Sequence, residues 1–138
     1  MTVESDYRRG RHVVSALHVH LVFITKYRRG VFDDDMLGFC ERVMRKVCDD
    51  FGAVLREFNG EHDHVHLLVE YPPKVSVSAL VNSLKGASAR RLRSQYAGKV
   101  NRARMNGHFW SPSYLAASCG GAPLSIIRQY IEQQQRPA

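Results

Sequence analysis

The amino-acid sequence predicts an α+β fold, a ferredoxin-like (RRM-like) sandwich in which helices cover one face of an antiparallel sheet. Segments with alternating apolar residues and segments with helical apolar spacing follow in the order strand, helix, β-hairpin, helix, strand, with one helix added at the end. The chain of 138 residues is long enough for one core and too short for two ordinary ones. We therefore expect a single domain over residues 1–138, with the second face of the sheet open to a ligand or a partner.

The first half of the chain is predicted to form a strand, a helix and a β-hairpin. Residues 14–26 alternate between apolar and other side chains, as a half-buried strand does. Apolar side chains then recur every three or four residues from Met36 to Phe51, and the acidic residues 33–35 suit the N-terminus of that helix. Residues 53–59 and 63–71 are predicted as two strands joined by a turn at Asn59-Gly60.

The second half is predicted to form a helix, a strand and a short final helix. Ser76 can cap the helix, which carries apolar residues at helical spacing up to Leu92. A polar, basic connection follows, and residues 108–118 are predicted as a further strand. Gly120-Gly121 breaks that strand, and Pro123 opens the last helix, which runs to about Gln135.

The charge of the chain is basic and clustered. Twenty Lys and Arg against 13 Asp and Glu give a net charge of +7 and a pI near 9.7. Between residues 85 and 104 there are seven basic residues and no acidic one, and a second basic cluster is the stretch TKYRRG at 25–30. Such clusters bind polyanions by releasing counterions, although a merely soluble basic surface has the same composition. Charge alone does not separate DNA from RNA or from a small phosphorylated ligand.

Other sequence features argue against membranes and disulfides. No apolar run approaches the roughly 20 residues that span a bilayer. The start, MTVESDYRRGR, lacks the apolar segment of a secretory signal. The three cysteines, Cys40, Cys48 and Cys119, are odd in number and widely spaced, so we expect free thiols in a reducing compartment. We expect a cytoplasmic protein without a membrane partner.

Three histidines alternate in the stretch EHDHVHLLV, residues 61–69. If the strand began before residue 63, Asp63 would point into the core, where an unpaired carboxylate is costly. We therefore expect residues 61–63 to belong to the turn, which disfavours His62 and leaves His64 and His66 on one face of a regular strand. Such a pair can present two imidazole nitrogens to one metal ion. A lone His-x-His is more often structural, and His18-Val19-His20 repeats the pattern on another strand. We therefore expect at least one pair not to bind metal, and we expect His18 and His20 to be structural.

The same stretch also resembles the motif of histidine-triad nucleotide hydrolases, in which three histidines alternate with hydrophobic residues. There the middle histidine attacks a nucleotide phosphate. Asp63 stands where that motif has an apolar residue, and 72 residues follow His66 although the triad usually lies near the C-terminus. This hydrolase is the enzymatic alternative.

Tyr130 lies beside the predicted apolar stripe of the last helix, which is formed by Leu124, Ile127 and Ile131. Gln134 is four residues further on and shares its flank. A tyrosine at the rim of a packed helix is the ordinary interpretation. Beside a two-histidine metal site, however, a phenol can attack a phosphodiester, and a metal or base must assist because its pKa is ordinarily about 10. Gln134 could then add a neutral oxygen as a third ligand.

Four stretches together resemble the single-tyrosine HUH transposases of small bacterial insertion sequences, which move as single-stranded DNA. HUH denotes histidine, hydrophobic residue, histidine. The stretches cover most of the chain in the order and spacing of that family, and they are HVHLVFITKYRRGVF, DHVHLLVEYPPKVSVSALVNSLKG, FWSPSYLAASCGGAP and IRQYIEQQ.

This resemblance implies a metal-dependent tyrosine transposase, a single-stranded DNA endonuclease and strand transferase. His64 and His66 correspond to the HUH pair, Tyr130 to the nucleophile and Gln134 to the residue that completes the site for Mg²⁺ or Mn²⁺. Tyr130 would form a 5′-phosphotyrosine link and release a 3′-hydroxyl, and a second 3′-hydroxyl would reseal the strand without ATP.

The resemblance also implies DNA and protein partners. Members of the family recognise DNA hairpins and form homodimers in which the tyrosine helix of one subunit serves the histidine pair of the other. A non-catalytic hairpin-binding protein of the same fold and a domesticated relative with the same chemistry remain alternatives. The candidate DNA-contact residues are Lys26, Tyr27, Arg28, Arg29, Lys85, Arg90, Arg91 and Arg93.

Overall fold

The main sheet has four antiparallel strands in the order β4–β5–β3–β6. The structure, a computed structural model, describes residues 8–9, 14–15, 17–118 and 124–134, with side chains over 17–118 and 128–134. Two short strands, β1 (Arg8–Arg9) and β2 (Val14–Ser15), pair separately. The other elements are β3 (His18–Thr25), a 3-10 turn (Lys26–Arg28), α1 (Asp34–Asp50), β4 (Val54–Glu61), β5 (His64–Glu70), α2 (Val77–Gln95), α3 (Ala97–Arg102), β6 (Trp110–Ser118) and α4 (Leu124–Gln133).

Alternation along the central strands separates a core face from a polar face. Leu21 and Phe23 of β3 and Val65 and Leu67 of β5 are fully buried, and they join the apolar faces of α1 and α2 in one core cluster. The intervening residues of β3 and β5, the histidines among them, lie on the opposite face. The predicted ferredoxin-like α+β fold is therefore confirmed.

Helix α4 lies on the polar face of the sheet, on the side away from α1 and α2. Tyr130 and Ile131, like Leu115 of β6, pack against Val22 and Ile24 of β3. The second face is thus partly covered, whereas the sequence predicted it to be open. Ile131 belongs to the predicted apolar stripe; the side chains of Leu124 and Ile127, together with Cys119, Gly120-Gly121 and Pro123, lie outside the described part of the chain.

The β4–β5 turn lies at His62-Asp63, so the predicted turn at Asn59-Gly60 is wrong. Gly60 is a strand residue that pairs with Val65. A Cβ at Gly60 would lie 2.5 Å from Leu37 Cδ2 and 3.1 Å from the His64 carbonyl oxygen. Glycine is therefore needed for the close approach of α1 to the strand rather than for a turn. The predicted start of the next strand at His64 is confirmed.

Other boundaries differ less from the expectations. The strand predicted over 14–26 divides into β2 and β3, and the basic connection contains α3. The Ser76 side chain caps α2 by accepting a hydrogen bond from the Ala79 amide. Cys40 and Cys48 are buried free thiols, as predicted. In the residues that the structure describes, no helix combines the length and apolarity needed to cross a membrane.

Candidate functional site

A cleft of about 580 Å³ opens where α4 crosses the end of β5 that carries the histidines. Its walls come from the 3-10 turn, the end of β4, the start of β5 and one flank of α4. The lining residues are Arg28, Asn59, Gly60, Glu61, His62, Asp63, His64, His66, Arg128, Ile131 and Glu132.

His64 is held in a fixed orientation by its neighbour Asp63. The two residues approach at 2.9 Å between Nδ1 and Oδ1, and the His64 side chain is only 14% exposed. Because an ionised carboxylate can only accept, the Nδ1–H of His64 donates and the lone pair is on Nε2. An imidazole in this state is ready to ligate a metal ion through Nε2.

Asp63 is a buried but paired carboxylate. It lies in the turn, as expected, yet its side chain is only 2% exposed, and Arg28 Nε donates to its Oδ2 at 3.2 Å. Burial would raise the pKa of Asp63, but the hydrogen bond from His64, the charges of His62 and His64 and the bond from Arg28 together lower it to about 2. Asp63 is therefore an anion at neutral pH.

His66 contacts a histidine of the neighbouring strand. His20 Nδ1 lies 3.1 Å from His66 Nε2, and the two rings are tilted with their centroids 5.3 Å apart. Burial is the main cause that lowers the pKa of His66, and the neighbouring His20 lowers it further. The lowered pKa favours the neutral form of His66, which can bind a metal ion. His20, expected from the sequence to be structural, thus lies directly beside the predicted HUH pair. His62 is 61% exposed and lies in the turn.

Tyr130 and Gln134 share one flank of α4 and meet at Ser113 of β6. The Tyr130 hydroxyl donates to Ser113 Oγ at 3.1 Å, and Ser113 Oγ donates to Gln134 Oε1 at 3.2 Å. Burial raises the pKa of Tyr130, and the hydrogen bond to Ser113 offsets part of that rise. The phenol is consequently protonated at neutral pH in this arrangement.

The structure brings together some predicted site residues and separates others. His64 and His66 line the cleft with Arg128, Ile131 and Glu132 of α4, whereas Tyr130 and Gln134 face β6. No cluster of three or more His, Cys, Asp or Glu side chains suited to a metal occurs in the described residues. Sequence reasoning did not assign Ser113, Arg128 or the Asp63–His64 contact. An Asp adjacent to the histidine pair was the only local signal for the last of these.

The basic turn after β3 is tied into the protein. Tyr27 and Arg28 have left-handed φ angles of 59° and 52°. Lys26 and Arg29 lie over the Tyr27 ring at 5.1 and 5.7 Å from its centroid, and Asn106 Nδ2 donates to the Tyr27 hydroxyl at 2.8 Å. The turn therefore places two cations beside an aromatic ring, while Arg28 is engaged with Asp63.

The basic residues of α2 differ in their availability. Lys85 donates to the Ser111 carbonyl oxygen at 2.8 Å, and burial lowers its pKa. Arg91 lies 5.4 Å from the Phe39 ring centroid, and Arg93 reaches the Gly107 carbonyl oxygen at 3.5 Å. Arg90 and Arg91 are exposed. Among the α2 candidates these two arginines are the most accessible to a polyanion.

Known proteins resemble this chain over nearly its whole length. The ISDra2 transposase TnpA of Deinococcus radiodurans is 30% identical over 129 residues, covering 94% of this chain and 91% of that protein. A transposase for insertion sequence element IS200 of Salmonella typhimurium is 34% identical over 115 residues, covering 83% and 74%.

Solved structures agree with this similarity. The crystal structure of a candidate transposase from Deinococcus radiodurans R1 matches with a TM-score of 0.87 and 32% identity, over 94% of this chain and 99% of that one. The REP-associated tyrosine transposase bound to a REP hairpin matches with a TM-score of 0.56 and 12% identity, over 92% and 69%, and shares the fold. A profile of the family described as "Transposase IS200 like" matches residues 13–134. The chain therefore belongs to the IS200-like transposase family.

Proposed function

We propose that this transposase cleaves and rejoins single-stranded DNA at the ends of an insertion sequence, with Tyr130 as the nucleophile and a 5′-phosphotyrosine intermediate. The observation that carries the proposal is the position of α4, which crosses the sheet face that bears His64 and His66 and itself bears Tyr130. A phosphate in the cleft would be near both histidines. To bring the phenol to that phosphate, α4 would have to shift or be exchanged with α4 of a second subunit.

The residues suited to hold the divalent ion, Mg²⁺ or Mn²⁺, are His64, His66 and Gln134. Two observations support the fit of the histidines: the carboxylate of Asp63 leaves His64 Nε2 as the lone-pair nitrogen, and the lowered pKa of His66 keeps that ring neutral. Two imidazoles and an amide oxygen accept many divalent ions, so the choice of ion rests on the family. When bound, the ion would polarise the scissile phosphate and position it.

The chemistry at Tyr130 is a transesterification. The phenol loses its proton, its oxygen forms a bond to phosphorus, and the bond from phosphorus to the 3′-oxygen breaks, so that oxygen leaves as a hydroxyl. One phosphodiester replaces another, so a later 3′-hydroxyl can reverse the exchange and rejoin the strand. The hydrogen bonds that Ser113 makes with Tyr130 and Gln134 must break before the attack, because they hold both side chains at β6.

We further propose a homodimer in which α4 of one subunit delivers Tyr130 to the histidine pair of the other. Within one subunit, the flank of α4 that faces the histidines carries Arg128 and Glu132, whereas Tyr130 faces β6. An exchanged helix would approach the cleft from another direction and could present the other flank. This arrangement is supported by the family and by the orientation of the phenol.

DNA hairpins are the proposed partner. The net charge of +7 and the exposed Arg90 and Arg91 favour a polyanion. Tyr27, with Lys26 and Arg29 beside its ring, joins aromatic and cationic groups of the kind that bind single-stranded DNA. The REP-associated transposase, which shares this fold, was solved bound to a hairpin. The remaining proposed contacts are Arg28, Lys85 and Arg93.

The decisive experiment is incubation of the protein with single-stranded insertion-sequence ends and Mn²⁺, followed by denaturing gel electrophoresis. We expect a covalent protein–DNA adduct that carries the 5′ phosphate, and no adduct when a chelator removes the metal. Hairpin binding without any adduct would support the non-catalytic alternative. Nucleotide hydrolysis that requires His64 and not Tyr130 would support the histidine-triad alternative.

A further inference from the structure

We propose that Asp63 and Arg28 are positioning residues that hold the His64 ring in its Nδ1–H form with Nε2 available to the cleft. The ring orientation stands on contacts within this chain, and its consequence for metal binding rests on the proposed function. Neither residue needs to touch the metal or the DNA for this role.

The three side chains form a short, sequestered relay. Arg28 Nε donates to Asp63 Oδ2 at 3.2 Å, and Asp63 Oδ1 accepts from His64 Nδ1 at 2.9 Å. The side chains are 14%, 2% and 14% exposed in that order. The carboxylate uses a different oxygen for each partner, so the arginine and the imidazole do not compete. An acceptor buried this deeply leaves His64 few alternative ring positions.

The position of Asp63 is in turn fixed through its backbone. The Thr25 amide donates to the Asp63 carbonyl oxygen at 3.0 Å, and Thr25 Oγ1 donates to the same oxygen at 3.2 Å. Thr25 Oγ1 also donates to the Arg29 carbonyl oxygen at 2.7 Å. Thr25 thereby ties the 3-10 turn to the β4–β5 turn and bridges to Arg29 on the far side of Arg28. The backbone is left-handed at Tyr27 and Arg28, and from this turn the Arg28 guanidinium reaches Asp63.

The carboxylate of Asp63 affects how well His64 can bind a metal ion. A carboxylate that accepts from one ring nitrogen of histidine fixes the tautomer and increases the basicity of the other nitrogen. His66 has a different partner, because its Nε2 faces the imidazole of His20. His64 is therefore the pre-oriented ligand of the pair. Through Arg28, the basic stretch TKYRRG therefore also supports the site internally.

The test compares Asp63→Asn with the matched control Glu70→Gln. Glu70 is also a buried carboxylate on β5, and it is paired with Arg56 at 2.6 Å, at the other end of the strand from His64. Mn²⁺ affinity is measured by calorimetry for the full chain. We expect Asp63→Asn to weaken it by about 10- to 100-fold, as loss of an outer partner of a metal ligand does. Glu70→Gln should leave the affinity unchanged, although both variants lower the melting temperature.

A second measurement reads the His64 ring without metal. Correlation NMR of the ring nitrogens should show a pure Nδ1–H tautomer for His64 in the wild type and in Glu70→Gln, and a tautomer mixture in Asp63→Asn. Arg28→Gln should shift both readouts in the same direction as Asp63→Asn and add nothing in the double variant, because it acts through that carboxylate.

The outcomes separate the positioning role from the proposed function. Equal affinity losses in Asp63→Asn and Glu70→Gln, or a wild-type His64 that is protonated on Nε2, would overturn the positioning role and leave the transposase chemistry standing. Equal Mn²⁺ affinity in the wild type and in His64→Ala would remove His64 as a metal ligand and, with it, the consequence for metal binding. The NMR result would still decide the ring orientation.

Discussion

Tyr130 donates its phenolic hydrogen to Ser113 Oγ across 3.1 Å, and the same serine donates to Gln134. The proposed nucleophile and the proposed third ligand lie one helical turn apart on one flank of α4. Both contact the same serine of β6, the strand that pairs with β3. Burial raises the pKa of the phenol by more than the Ser113 hydrogen bond lowers it, so the unreactive, protonated form is favoured here. For Tyr130 to attack DNA, both side chains must break their hydrogen bonds with Ser113 and move to the cleft.

Tyr130→Phe should abolish the covalent adduct and leave hairpin affinity nearly intact. The change removes only the attacking oxygen, and the ring can keep its contacts with Val22 and Ile24. The adduct is followed on denaturing gels and affinity by gel shift. Tyr114→Phe is the control, since Tyr114 packs on Phe23 on the other face of the sheet. An adduct that persists in Tyr130→Phe would show that another residue attacks.

His64→Ala and His66→Ala should each eliminate metal-dependent cleavage, whereas His62→Ala should retain most of it. Only the first two histidines are fixed on the strand, and His62 is 61% exposed in the turn. His20→Ala should retain metal binding, because His20 is a neighbour of His66 and not a predicted ligand. Calorimetric titration of the four variants is the measurement. Loss of the site in His62→Ala with retention in His66→Ala would favour the histidine-triad hydrolase.

The affinity for a DNA hairpin should fall steeply with salt, and an exposed arginine of α2 should account for part of the slope. Each phosphate contact contributes about 0.9 to the log–log slope on duplex DNA. Arg90→Ala should therefore reduce the slope by about 1 if Arg90 binds one phosphate. Binding isotherms at several salt concentrations measure this. A slope near zero in the wild type would exclude the basic surface as the binding site.

Much of the fold could be predicted from local pattern, and the misses have physical causes. Alternation on β3 and β5 identified the core face, because one side of each strand is fully buried. The predicted turn at Asn59-Gly60 is wrong because the glycine makes room for Leu37 of α1, a contact between segments that are distant in the sequence. The turn at His62-Asp63 has no turn-forming glycine, and its Asp63 pairs with Arg28 of a distant segment.

The candidate site could be predicted only where its residues are neighbours in the sequence. The spacing of His64 and His66 and of Tyr130 and Gln134 was readable, since each pair lies on one element. The contacts of His20 with His66 and of Tyr130 with Ser113 depend on strand order and on the docking of α4. No local pattern encodes those, and the sequence accordingly predicted a structural role for His20.

Asp63 should make the stability of the wild type sensitive to acid. Its folded-state pKa is about 2, below the usual 3.8, so its contribution is complete above pH 4 and is lost as the pH falls towards 2. The difference corresponds to about 2 kcal/mol. Urea unfolding between pH 4 and 2 should show the wild type losing about that much more stability than Asp63→Asn. Parallel pH profiles for the two proteins would contradict the ionised, paired carboxylate.

Gly60→Ala and Gly86→Ala should change stability in opposite directions. At Gly60 a methyl group would meet Leu37 Cδ2 at 2.5 Å, the His64 carbonyl oxygen at 3.1 Å and Val65 Cγ1 at 3.2 Å, so the Leu37 side chain must move and the strand must yield slightly. We expect a cost of about 1–3 kcal/mol, as for other overpacked sites. At Gly86, inside α2, the nearest atom is the mobile Arg90 Nη1 at 3.4 Å, and alanine should gain up to about 1 kcal/mol of helix propensity. Thermal unfolding monitored by circular dichroism gives both values.

Because Gly60 lines the cleft, Gly60→Ala should also lose cleavage activity, whereas Gly86→Ala should keep it. If Gly60→Ala changed neither stability nor activity, the close approach of Leu37 to β4 would be contradicted.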